Sequence, residues 1–246
     1  MKKKKVFKIV SIVLLVLVGL VLITAGFFAI RGAVMWNNAK NEFPVAQAVE
    51  KLRADADYIK FGDLPQFYVD AVISVEDRRF FTHSGISVKS ILRAVFYDLK
   101  NQSFDQGGST ITQQLAKNVW FYEEKRMERK FAEVFAAFSL ESQLDKNEIF
   151  ELYVNTIYFG SGYYGIGEAA RGYFGKAPSE LTDYECALLA GLPNAPSAYA
   201  LNEAPELARQ RMEIVLQAMR SNGKLSENEA EAVLAQGNIE ITESGV

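Results

Sequence analysis

The stretch SVEDRRFFTHSG, residues 74–85, brings Glu76, Asp77, Arg78 and Arg79 together with Phe80, Phe81 and His83, the chain's single histidine. A charge run of this kind most often forms the solvated end of a helix. The residues before it agree with that. Asp63 and Pro65 make a helix start, and Phe67, Val69, Val72 and Ile73 recur at helical spacing up to the quoted stretch. Whether those charges do chemistry depends on what the rest of the chain brings to them.

Downstream, Val88, Ile91, Leu92, Val95, Phe96 and Leu99 repeat at helical spacing, and NQSFDQGG (101–108) reads as a polar, glycine-ended connection. GGSTITQQLAKN (107–118) follows. Thr110-x-x-Gln113 predicts a capping box that opens a helix through Leu115 and Val119. The two glycines let the backbone approach a ligand, and Ser109 and Thr110 sit at a helix N-terminus, whose free N–H groups and partial positive charge suit an anion. A glycine-rich helix start is weak evidence by itself. The signal lies in Gln113, Gln114, Lys117 and Asn118, which crowd the first two turns with long polar groups.

Further on, EKRMERKFAEVF (124–135) places Arg126, Lys130 and Glu133 at i, i+4 and i+7, with Arg129 four residues before Glu133. Met127, Phe131, Val134, Phe135 and Phe138 form an apolar stripe, which predicts that the charged face turns away from the core. The ordinary reading is a solvated helix carrying an i,i+4 ion pair. The functional one is a carboxylate held beside cations that bind a phosphorylated group, for which an arginine fork is well shaped.

The remaining periodicity is helical too. Asp145-x-x-Glu148 opens a helix with Ile149, Tyr153 and Ile157, and FGSGYYGIGEAARGYFG (159–175) is expected to interrupt it as a bent segment. Thr182-x-x-Glu185 caps a helix stopped by GLPNAP. Pro205 starts another with Met212, Val215, Leu216 and Met219, and Ser226-x-x-Glu229 begins the last. Neither alternating strands nor a long repeat is visible. The expected fold is mainly α.

From Ile9 to Ile30 the chain carries no charge, enough helix to cross a hydrocarbon core of roughly 30 Å. Lys2, Lys3, Lys4, Lys5 and Lys8 precede this run and Arg31 follows it, so the positive-inside tendency keeps the N-terminus in the cytoplasm. A signal peptide would share the basic start, but the length of the run and the lack of an obvious cleavage site favour a retained anchor. The expected organisation is a basic tail (1–8), a transmembrane helix (9–30), a juxtamembrane connector (31–60), one domain (61–235) and a C-terminal tail (236–246).

Beyond Gly32 there remain 21 basic and 30 acidic residues, a net charge near −9, which argues against non-specific nucleic-acid binding. An anionic ligand would need a local cluster of cations. One cysteine, Cys186, cannot form an internal disulfide and reads as a small buried side chain. With one Cys and one His a zinc site is excluded, so no tightly bound metal is expected; any metal is a hard cation held by carboxylates and by substrate oxygens.

In order along the chain, EDRRFFTHSG (76–85), GGSTITQQLAKN, RKFAE (129–133), ELYVNTIYFGSGYYGIGEAARGYFGK (151–176) and ALLAGLPNAPSAY (187–199) resemble the five motifs of the peptidoglycan glycosyltransferases, glycosyltransferase family 51. Together they cover roughly residues 65–200. The resemblance implies a lysozyme-like α fold with a smaller membrane-proximal lobe. It also implies a reaction: lipid II units are joined into glycan strands with inversion, and undecaprenyl pyrophosphate leaves. By motif position Glu76 matches the general base and Glu133 the second carboxylate. Ser109, Thr110, Gln113, Gln114, Lys117, Asn118, Arg126, Arg129 and Lys130 are expected on the donor side, while Asp77, Phe80 and His83 support the geometry around Glu76. A Mg2+ or Mn2+ ion bridging the pyrophosphate, and other cell-wall synthesis proteins as partners, are compatible with the resemblance. It places the enzyme in the bacterial cytoplasmic membrane, with its domain on the outer side.

One position departs from the pattern: the residue before the second glutamate, often lysine in this family, is Ala132. The stretch VWFY (119–122) is a candidate to dip into lipid, with core packing as the alternative. The family includes bifunctional proteins with a transpeptidase domain; this chain ends at Val246, and its one S-x-x-K match (Ser221 to Lys224) has no K-T-G partner, so a monofunctional enzyme is expected. The rival functions are a lytic hydrolase and an inactive scaffold. A hydrolase needs a protonated acid in an apolar pocket, whereas a carboxylate among cations is held ionised. Retention of both glutamates argues against a scaffold.

Overall fold

The computed structural model describes residues 2–87, 89, 108–122 and 124–243. The predicted helix over 88–99 and most of the connection after it lie outside them. Among the described residues the architecture is helical, with one isolated antiparallel bridge, Tyr158 to Tyr164. The helices are α1 (Lys2–Glu42), α2 (Val45–Arg53), α3 (Gln66–Glu76), α4 (Ile111–Trp120), α5 (Glu128–Glu141), α6 (Lys146–Val154), α7 (Gly165–Phe174), α8 (Asp183–Gly191), α9 (Pro205–Ser221) and α10 (Glu227–Glu243).

Their starts follow from local chemistry. Thr110, Asp145 and Thr182 each accept from the backbone N–H three residues on. Gln113, Glu148 and Glu185 reach back to the cap backbone, satisfying N–H groups that the helix cannot. Ser226 and Glu229 repeat the exchange at α10. The core forms around α8, whose residues Tyr184–Gly191 are all buried, with α3, α9 and α10 packed against it. Cys186 belongs to this core, and burial pushes its thiol up to about 12.

Three expectations need correction. First, α1 does not end with the apolar run: it continues to Glu42, and α2 follows after two residues, so most of the stretch expected as a connector is helical. Trp36 of α1 is buried, edge-on to Trp120 at 5.3 Å. The same contact settles VWFY. Phe121 is buried, and Trp120 donates its indole N–H to the Phe43 carbonyl at 2.8 Å, so this stretch packs on the protein and only Tyr122 stands out.

Second, the face of α5 that meets the core is not the stripe of large apolar residues. Ala132, Glu133, Ala136, Ala137 and Leu140 are buried, whereas Met127 and Phe138 are exposed. Part of the stripe faces α1 instead of the core: α1 crosses α5 with Gly32 against Phe131 and Ala132, and Phe131 stacks on Phe28 at 6.3 Å. Third, the glycine-rich segment bends only in its first half. Gly160, Gly162 and Gly165 take φ of 90°, 87° and 78°, backbone that side chains rarely adopt, and α7 then runs through the rest.

Candidate active site

A cleft of about 720 Å³ opens between the end of α3, the starts of α4 and α5, the turn after α8, and α9. Glu76 is the last residue of α3. The chain leaves the helix at Asp77, and the corner it makes is tied down. Asp77 Oδ2 accepts from His83 Nε2 at 2.7 Å and from the Ile111 backbone N–H at 3.2 Å, so one carboxylate fixes the turn and caps α4. Phe80 is fully buried beneath it, 6.0 Å from Phe150 and 6.3 Å from His83.

Gln114 crosses from α4 and donates to Glu76 Oε2 at 2.7 Å, while its own amide oxygen accepts from Tyr153 at 3.4 Å. Glu76 keeps part of its surface open to the cleft, but protein surrounds its carboxyl. Burial pushes that carboxyl above the ordinary glutamate range. The Gln114 hydrogen bond and the charge of Arg211 pull it back, and Asp77 adds to the rise.

On the far wall Glu133 is buried and held on both oxygens. Arg129 reaches Oε1 at 2.5 Å and Lys130 reaches Oε2 at 2.8 Å. Lys130 also donates to the Ser109 hydroxyl at 2.5 Å, linking α5 to the residue just before the α4 cap. Lys117 lines the same space from α4. Counting Arg78 and Arg211, five cations face two carboxylates in this cleft, a local surplus of positive charge within an acidic domain. Such a basin attracts an anionic group against the overall field.

Glu76, Ser109, Gln114, Lys117, Arg129, Lys130 and Glu133 therefore meet in one cavity. Other candidates do not line it. Thr110 and Gln113 are buried and spend their polar atoms on the capping box, with the Thr110 hydroxyl also donating to the Gly85 carbonyl at 2.6 Å. Asp77, Phe80 and His83 lie behind Glu76, and Asn118 is half-buried outside the lining. Arg126 points away to an exposed pair with Glu124, because it stands before the first turn of α5.

The sequence reading missed Arg78, Asn194 and Arg211. Arg78 lay inside the opening stretch, and Asn194 inside the fifth motif. Arg211 had no signal, since its helix was read for its apolar residues alone. A second, apolar groove of about 620 Å³ between α2 and the end of α5 offers only Glu50 and Arg53 as charged groups, too little for the chemistry of the first.

Comparison with known proteins identifies the family. Residues 44–220 match the family described as Transglycosylase. A protein of Cupriavidus necator whose name calls it a transglycosylase is 40% identical over 208 residues, 85% of this chain and 90% of that protein. Penicillin-binding protein 1A of Vibrio cholerae is 43% identical over 192 residues, 78% of this chain but 23% of the relative's own length. The crystal structure of penicillin-binding protein 1A from Haemophilus influenzae aligns with 72% of this chain and 17% of that one, at 25% identity and a TM-score of 0.42. With its sequence matched over this span, the chain belongs to the transglycosylase family and is a glycosyltransferase of peptidoglycan synthesis.

Proposed function

We propose that the cleft joins lipid II units into a β-1,4 glycan strand by direct inverting transfer, with Glu76 as general base. The observation that carries this reading is the pairing of a partly desolvated carboxylate, oriented by Gln114, with a wall of cations organised around Glu133. A sugar hydroxyl is a poor nucleophile, and a positioned base contributes roughly 10²–10⁴-fold by taking its proton during attack. The acceptor 4-hydroxyl oxygen bonds to the donor C1, the C1–phosphate bond breaks on the opposite face, and the hydroxyl proton passes to Glu76. Pyrophosphate leaves as an anion. It needs charge rather than a proton, and Lys117, Arg129 and Lys130 supply that charge.

The raised carboxyl of Glu76 would also suit the protonated acid of a lytic hydrolase. The second carboxylate favours transfer. Both oxygens of Glu133 are engaged by cations, which leaves it ready to hold those cations and not to attack a sugar. Among the described residues no three His, Cys, Asp or Glu side chains converge, and no step is routed through a metal.

The lipid tail of such a substrate stays in the bilayer. The apolar length of α1 is sufficient to cross a membrane, and the lysines before it favour a cytoplasmic N-terminus with the cleft on the outer face. The test incubates the detergent-purified chain with labelled lipid II beside Glu76→Gln and resolves the products by size. Long glycan from the wild type alone is the expected result, and polymer from both would remove Glu76 as the base.

A further inference from the structure

The close crossing of α1 and α5 falls at a specific height. The uncharged run ends at Ile30, so Arg31 and Gly32 are the first residues past it. Arg31 Nε pairs with Glu128 at 2.6 Å. A Cβ at Gly32 would lie 2.5 Å from the Phe131 Cβ, 2.8 Å from the Ala132 backbone nitrogen and 3.0 Å from the Glu128 carbonyl oxygen. No side chain fits there without moving one helix off the other. Ala132 is fully buried at this crossing.

Glu128, Phe131 and Ala132 share their turn with Arg129, Lys130 and Glu133. The outer side of that turn grips the membrane helix, and its inner side carries the cations of the cleft. We propose that Arg31 and Gly32 are positioning residues, which hold the Arg129–Lys130–Glu133 turn at the bilayer edge, level with a pyrophosphate tethered in the membrane. The inference deepens the reading of the cleft as a site for a lipid-linked pyrophosphate and rests on it. An anchor that served only as a tether would need neither the glycine nor the ion pair.

The contact acts through height, so its loss should depend on how the substrate is presented. The full chain in phospholipid vesicles would be assayed as Arg31→Glu, Glu128→Arg, the double charge swap and Gly32→Ala. Each would be given a bilayer-embedded long-chain substrate and, separately, a water-soluble short-chain one, with hydrogen exchange of the 132–137 amides followed in parallel. For the single variants kcat/KM should fall about tenfold on the bilayer substrate and stay within about twofold on the soluble one, with exchange about tenfold faster. The charge swap should restore both. An equal fall on the two substrates would make the contact merely structural, and no fall on either would overturn the inference. Unchanged exchange in Arg31→Glu would overturn the docking even if the wild type polymerised neither substrate, a result that would separately sink the reading of the cleft.

Discussion

The side-chain amide of Gln114 donates to Glu76 Oε2 across the cleft at 2.7 Å. This bond orients the carboxylate and favours its ionised form, against burial that favours the neutral one. A base must be ionised to work. Activity should therefore disappear as pH falls through a value above that of an ordinary glutamate, and Gln114→Leu should move this limb further up while lowering kcat about 10²-fold. The pH profile of kcat/KM for the two proteins measures both effects. Identical acid limbs would mean that Gln114 does not govern Glu76.

The same burial has a consequence for stability. A carboxyl whose folded pKa is raised contributes stability that is full below its unfolded pKa and lost as pH rises through the folded one. At neutral pH the ionised Glu76 is thus a cost to the fold. Glu76→Gln keeps the shape and can still accept from Gln114. It should lose at least about 10²-fold in activity and yet melt higher than wild type at about pH 7, with the gain vanishing near pH 4. Thermal unfolding at the two pH values decides; a lower melting temperature at neutral pH would contradict the assignment.

Ser109 and Thr110 are neighbours with different work. The Thr110 hydroxyl caps α4 and donates to the Gly85 carbonyl, while the Ser109 hydroxyl accepts from Lys130 in the cleft. Thr110→Ala should cost about 1–2 kcal/mol of stability. Ser109→Ala should leave stability unchanged and raise KM. Chemical denaturation beside steady-state kinetics separates the two, and a stability loss at Ser109 would show that the Lys130 contact is structural.

Arg126 and Arg129 lie one turn apart and look alike in the sequence, yet only Arg129 faces the cleft. Arg126→Ala removes an exposed pair and should change activity by no more than about twofold. Arg129→Ala strips a cation from the wall and should lower kcat about 10²-fold. Comparable losses in the two variants would place Arg126 in the binding machinery after all.

Much of the lining of the cleft is legible because it is spelled in short segments. Glu76, Gln114 and Glu133 each stand in a motif whose neighbours serve the same corner, as Asp77 and His83 do. Arg126 lies outside the cleft lining because it stands before α5 begins, where the backbone no longer keeps it in line with Lys130 and Glu133. Arg211 could not be found from spacing. It reaches the cleft only because α9 packs beside α3, far away along the chain.

The sequence by itself determined where the capped helices begin, because a cap such as Thr110 with Gln113 or Asp145 with Glu148 satisfies its N–H groups within a few residues. It also determined the apolar span of α1 and the identities of the two glutamates. Only the tertiary structure decided which face of α5 is buried. Apolar spacing marks Phe131, Phe135 and Phe138 as an inward stripe, but it cannot say whether a neighbour is core, membrane helix or solvent. Gly32 of α1 lies directly against Phe131, Ala132 and the Glu128 carbonyl, so Phe131 meets the membrane helix, while Ala132, Ala136 and Glu133 are the buried residues and Glu133 pairs with Arg129 and Lys130. That contact joins residues about 100 positions apart along the chain, a separation that local spacing does not register.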